Sequence, residues 1–212
     1  ASALEEAQAH LERALPGVTV YPRVADYTDG LGQIDAGANR KLVLYIGSSI
    51  GNFEPAAARS LLSDIRAQLA PGDTLLLGAD RAPHAQKPIP LLKAAYDDAS
   101  GVTAAFNRNV LARINRELDA NFRVERFRHH ACWNAAHSRI EMHLVSAIAQ
   151  RVSIPALELE LEFAPGESIH TENSYKFTEA AILGILGEAG FVLQRQWTDE
   201  QDWFGVYLAR AI

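Results

Sequence analysis

Cysteine occurs once, at Cys132, which excludes an internal disulfide framework and fits a reducing compartment such as the cytoplasm. Methionine also occurs once, as Met142. No apolar run approaches the length that a membrane-spanning helix needs, so membrane association is not expected. No charged-then-apolar leader precedes the first helical pattern; a chain that opens on Ala1 is expected to have lost a terminal methionine or to begin partway into a longer gene product. A basic excess is missing as well: 20 Lys and Arg stand against 26 Asp and Glu, a net charge of −6. That balance argues against a nucleic-acid partner and points to a small or neutral ligand. Walker phosphate loops, nucleophile elbows, repeats and low-complexity tracts are absent too. What remains is 212 residues, 48% hydrophobic and 22% charged, enough for a packed core in one large domain or two small ones.

The first segment places Leu4, Ala7, Leu11 and Leu15 on one helical face and stops at Pro16-Gly17. VTVYPRV (18–24) reads as a short strand, and KLVLYIG (41–47) as a strand buried on both faces. Pro55 suits the first turn of a helix in which Ala58, Leu61, Leu62, Ile65 and Leu69 recur at helical spacing. DTLLLGAD (73–80) is a second buried strand, so this rhythm predicts a parallel sheet with crossover helices. After about residue 85 the pattern changes. RIEMHL places Ile140, Met142 and Leu144 on one face and Arg139, Glu141 and His143 on the other, and LELELEF (157–163) alternates likewise. A final helix over 178–190 leads into FVLQRQW and FGVYLAR. The expected organisation is an α/β core over 1–85 and 177–212, interrupted by a β-rich insertion at 86–176.

GSSIGNF (47–53) directly follows a buried strand, where α/β folds place their ligands and where glycine lets backbone come close. The alternative is a tight turn capped by Asn52 or a serine. Its spacing is not the dinucleotide G-x-G-x-x-G pattern. Asp26-Tyr27 follows another strand; an acid beside an aromatic suits an adenine, although a turn aspartate beside a half-buried tyrosine has the same pattern. Glu172 and Ser174 lie two apart, so both side chains emerge on one strand face about 7 Å apart. Such a pair can hold an imidazole, the carboxylate accepting from one ring N–H while the hydroxyl satisfies the other nitrogen; a solvated strand face is the alternative. His129, His130, His137 and His143 with Cys132 lack ligand spacing, so no metal is expected. Asn107, Asn109 and Asn115, unusual in a helical stretch, are expected to pin the insertion to the core.

Together LYIGSSIGNFEP, AAYDDASGVTAAFNRNVLARINREL, RIEMHL and TENSYKF closely resemble the S-adenosylmethionine-dependent histidine-specific methyltransferases of ergothioneine biosynthesis, which convert L-histidine to its betaine, hercynine. The match runs in order across nearly the whole chain. The resemblance implies a Rossmann-like class I methyltransferase sheet carrying a β-rich substrate-binding insertion, S-adenosyl-L-methionine as cofactor, and L-histidine as substrate of a monomeric enzyme. It assigns Asn52 and Tyr96 to the amino-acid end of the substrate, and Glu172 and Ser174 to the imidazole. Met142 it places at the ring pocket, with Asp26 and Tyr27 at the adenine and Gly47 with the adjacent Ser48 beside the cofactor. No side chain is implied as a nucleophile, because a sulfonium methyl is electrophilic enough once amine and methyl are aligned. The family pattern also carries an N-terminal strand, a glycine-rich cofactor loop and a ribose-binding acid before the point matching Ala1, so part of the sheet is expected to be missing from these residues. Methylation of another amino acid or amine, and a non-catalytic binding subunit, are the competing readings.

Overall fold

The computed structural model describes residues 3–24 and 39–212. The helix α1 (Ala3–Ala14) forms where expected and ends before Pro16-Gly17, yet none of its residues is buried. The strand expected at 18–24 does not form. Backbone there is satisfied by α1 instead: Glu12 Oε1 accepts from the Val20 amide at 3.0 Å, and Gln8 Nε2 donates to the Val20 carbonyl at 3.1 Å. Asp26 and Tyr27 lie outside the described residues.

The α/β class is as expected. β1 (Leu42–Tyr45), α2 (Pro55–Ala67) and β2 (Thr74–Asp80) make a parallel strand pair with its crossover helix. Proline opens α2 because the first helical turn needs no N–H from it. The last two strands, β8 (Phe191–Thr198) and β9 (Phe204–Ala211), are joined by a short loop, which forces antiparallel pairing; the four-stranded order is β1-β2-β9-β8. Among the described residues the expectation of a parallel sheet therefore holds for β1 and β2 alone. α2 and α5 (Glu179–Glu188, capped by Thr178 Oγ1) pack on one face over Leu75, Leu77, Phe191 and Tyr207. β1 is not buried on both faces: Leu42 and Leu44 are 56% and 58% exposed, because α2 and α5 cover the opposite face, that of Val43 and Tyr45, and no other described element covers this one.

The chain leaves this sheet at Asp80 and returns at Phe177, whose amide donates to the Asp80 carbonyl at 3.0 Å. Between them lie α3 (Ile89–Tyr96), α4 (Val102–Leu118) and five strands. β3 (Phe127–Asn134), β4 (Arg139–Ser146) and β7 (Ser168–Tyr175) form an antiparallel sheet ordered β3-β4-β7, and β5 (Gln150–Ile154) pairs with β6 (Leu159–Phe163). Ile140, Met142 and Leu144 are buried, as the alternation of RIEMHL predicts. Leu111, Phe122, Phe127, Val152 and Phe163 gather into a separate core whose three rings lie 5.5–6.2 Å apart, centre to centre.

Candidate functional site

The turn after β1 carries two successive left-handed residues, Gly47 (φ 77°) and Ser48 (φ 60°). Ser48 is held there because its Oγ accepts from the Asp80 amide at 2.9 Å, tying the ends of β1 and β2 together. A 3-10 turn (Ser49–Asn52) follows, anchored by fully buried Ile50. Gly51 has a steric requirement. A Cβ at that position would lie 2.7 Å from the Tyr175 carbonyl oxygen, so only glycine lets the loop lie against β7. That contact brings Asn52 to the strand bearing Glu172 and Ser174.

On β7, Glu172 pairs across the sheet with Met142 and Ser174 with Ile140, so all four share a face. A bulge at Thr171, whose Oγ1 donates to the Met142 carbonyl at 2.9 Å, breaks the register immediately before Glu172. Tyr96 ends α3 on the same face, and its hydroxyl lies 2.9 Å from Ser174 Oγ. Its position is set from behind: His129 Nε2 donates to the Tyr96 carbonyl at 2.7 Å, and Asn107 Nδ2 donates to His129 Nδ1 at 3.0 Å. Only the neutral ring with its proton on Nε2 satisfies both bonds. Asp98 caps α4, accepting from the Val102 and Thr103 amides; hydrogen bonds from Ser100 and these donors hold its carboxyl well below the usual range.

Gly47, Ser48, Asn52, Tyr96, Glu172 and Ser174 all line one cavity of about 290 Å³ at the carboxyl ends of β1 and β2. Six of the nine residues selected from the sequence thus converge. Met142 sits just behind, buried with Leu92 and Ala131. A larger, open cleft of about 550 Å³ shares Asn52 and Glu172 and extends past Phe106 and His170. Burial pushes the Glu172 carboxyl up from its ordinary value, and the nearby Lys176 ammonium pulls it back.

Sequence reasoning missed the charged floor of the cavity. Asp80 is shared by two buried lysines: Lys87 Nζ bonds Oδ1, and Lys176 Nζ lies 2.7 Å from Oδ2. Burial lowers the Lys87 pKa and the Asp80 carboxylate opposes this. Lys176 continues the alternation Glu172, Ser174, so a signal for it existed; for Lys87 there was none. Asn107 and Asn115 bond inside the β-rich region, to His129 and Phe122, and not to the four-stranded sheet as expected.

On the opposite face of β3 and β4, Cys132, Glu141 and His143 bring potential ligand atoms within 4.8 Å of one another. Their carboxylate is already committed: Arg139 donates to Glu141 Oε1 at 2.6 and 2.8 Å, and Asn134 at 2.8 Å. Burial works against ionisation there, but those bonds and one from His143 outweigh it and hold Glu141 at about 2. Burial also raises the Cys132 thiol.

A glycine backbone on one wall, with a carboxylate and two hydroxyls on the other, gives this α/β protein a small polar cavity at the carboxyl ends of its parallel strands. The family of S-adenosylmethionine-dependent, histidine-specific methyltransferases matches residues 1–211, and the chain belongs to that family. It is 44% identical over 209 residues to the histidine N-alpha-methyltransferase of Mycolicibacterium smegmatis, covering 99% of this chain and 64% of that protein. It is 26% identical over 175 residues to the L-tryptophan methyltransferase trpM of Psilocybe serbica, covering 80% of this chain and 46% of that one. Superposed on an S-adenosylmethionine-dependent methyltransferase from Clostridium acetobutylicum, it gives a TM-score of 0.46 at 10% identity, over 98% of this chain and 70% of the other. The chain thus spans about 64% of the length of the histidine methyltransferase it matches.

Proposed function

We propose that the full-length protein transfers methyl groups from S-adenosylmethionine to the α-amine of L-histidine, giving hercynine in three steps and opening ergothioneine biosynthesis. The observation that carries this is the convergence of Asn52, Tyr96, Glu172 and Ser174 on one cavity beside the Gly47-Ser48 turn. In this reading Glu172 accepts the ring N–H and Ser174 serves the other ring nitrogen, while Asn52 and Tyr96 border the amino-acid end. The hydroxyl of Tyr96 stands against Ser174, so the groups serving the two ends of the substrate are neighbours. Residues 86–176 act as the substrate-binding insertion.

The turn fits a cofactor. Gly47 lines the cavity in a left-handed conformation, with nothing within 4 Å of where a side chain would begin, so bare backbone faces the ligand. Gly47 and Ser48 would hold the cofactor's amino-acid end, with Asp26 and Tyr27 assigned to the adenine. Bound S-adenosylmethionine supplies an electrophilic methyl. The chain's own residues then align the amine and exclude water, and none needs to act as a nucleophile. An indole offers an N–H to Glu172 but no second ring nitrogen to Ser174, which favours histidine over tryptophan.

Mass spectrometry of full-length protein with S-adenosylmethionine and histidine is the direct test. Successive mono-, di- and trimethylated histidine supports the proposal, and methylation of another amino acid in preference overturns it.

A further inference from the structure

Lys176 is fully enclosed, its side chain 1% exposed, and lies over the Tyr96 ring at 4.7 Å. Its ammonium has three hydrogens and three acceptors: Asp80 Oδ2 at 2.7 Å, the Tyr96 hydroxyl at 2.6 Å and Ser174 Oγ at 2.9 Å. Because a lysine ammonium only donates, one lone pair on each hydroxyl is occupied by it. The two hydroxyls are also bonded to each other at 2.9 Å. A phenolic hydroxyl is a better hydrogen-bond donor than an aliphatic one, so Tyr96 donates to Ser174. Ser174 Oγ then accepts twice, from Lys176 and from Tyr96. Its acceptor capacity is filled, and its own hydrogen is directed at the cavity. Beside it the Glu172 carboxylate makes no ion pair or hydrogen bond with the described residues and faces the same space as an acceptor.

We infer that Lys176 fixes the hydrogen-bond polarity of the site as one donor beside one acceptor, so that the site takes a neutral imidazole in one tautomer and rejects an imidazolium. A neutral imidazole presents one N–H and one bare nitrogen, matching Glu172 and Ser174. An imidazolium presents two N–H groups, and the second would meet the Ser174 hydrogen. Lys176 is thus a positioning residue that acts through Ser174 and Tyr96. The inference rests on the histidine reading above. The charged and titratable groups facing Lys176 are Asp80 from β2, Lys87 from the turn after it, Tyr96 from α3 and Glu172 from β7.

The test is calorimetric titration of histidine into full-length protein saturated with S-adenosylhomocysteine, at pH 8 and pH 5.5. Unaltered protein should bind histidine about tenfold more weakly at pH 5.5, since an imidazole near 6.5 is then mostly protonated. Lys176→Met reopens a lone pair on Ser174 and should reduce that ratio to below about threefold. Removal of a cation acts on Glu172 in the opposite sense: without the ammonium its carboxyl protonates more readily, and the loss at low pH steepens. Tyr96→Phe reopens the same lone pair while Lys176 stays paired with Asp80, so it should flatten the ratio too, and it decides the matter if Lys176→Met fails to fold. Parallel titration of hercynine, whose trimethylammonium group cannot titrate, removes the α-amine contribution from the ratio in all three proteins. Ratios in both variants that stay near tenfold or rise, or equal binding by unaltered protein at the two pH values, would overturn the inference. Lack of methyl transfer to histidine at pH 8 by unaltered protein would instead overturn the functional reading beneath it.

Discussion

The four-stranded sheet brings a left-handed backbone turn to the cavity, with Asn52 and the Asp80 carboxylate, whereas the three-stranded sheet brings the carboxylate and hydroxyl of β7. From the first come the left-handed turn at Gly47 and Ser48 and the close-packed Gly51. From the second come Glu172, Ser174 and, through α3, Tyr96. The two also differ in how they are covered. The first packs α2 and α5 on one face and leaves Leu42 and Leu44 of β1 open among the described residues. The second encloses its own aromatic core around Phe127. In the function proposed above, the first side holds the cofactor and the second the ring with two nitrogens.

The comparison can be broken most severely in the second core. Phe127→Ala should cost about 3–5 kcal/mol in denaturant unfolding, because the ring is fully buried between Phe122 and Phe163. Next, Glu172→Ala in full-length protein should weaken histidine binding by about 100-fold, roughly 3 kcal/mol, with S-adenosylmethionine affinity nearly unchanged. Unaltered histidine kinetics would reject its place in the substrate wall. Gly51→Ala should cost about 1–3 kcal/mol, seen as a lowered Tm, because its Cβ collides with backbone and the loop cannot stay on β7.

The smaller effects set two glutamates of one sheet against each other. Glu141 has its folded pKa depressed to about 2, so its stabilisation is present above the unfolded value near 4.5 and is lost as pH falls through 4.5 towards 2. Glu141→Gln should therefore destabilise the protein by about 2 kcal/mol at pH 7 and lose that effect in acid. Glu172 is raised, so its ionisation opposes folding above its folded pKa, and the penalty disappears below the unfolded one. Glu172→Gln should raise Tm by about 2 °C at pH 7 and by nothing at low pH. Equal signs for the two variants in a pH series of thermal melts would contradict the division between structural and ligand-facing faces.

Much of this was legible in one dimension. The helical spacing of Ala58, Leu61, Leu62 and Ile65, and the alternation of Ile140, Met142 and Leu144, each record a face that is buried. The motif residues Asn52, Tyr96, Glu172 and Ser174 were legible through family resemblance. Other features were not. VTVYPRV has the composition of a strand, but no described strand pairs with it, and α1 side chains take its backbone groups. KLVLYIG reads as doubly buried because apolar runs record the partners a strand is suited to, while exposure depends on which of them pack beside it. Lys87 was invisible: an isolated lysine in a turn is ordinarily solvated, and it is the folded positions of Asp80 and of the Arg81 and Trp203 carbonyls that hold it buried.

Local periodicity by itself determined the α/β class, the elements α1, α2, β2, β4 and α5, and a carboxylate and hydroxyl on one strand face. Those properties follow from repeats of 3.6 and 2 residues, which any short window contains. Tertiary structure alone decided that Gly51 must touch Tyr175, that His129 sets the end of α3, and that Asp80 joins Lys87 to Lys176 beneath Ser174. These contacts join residues far apart in the chain, and their energies depend on burial and on how many hydrogen-bond sites are already occupied. Neither quantity exists until the two sheets have come together.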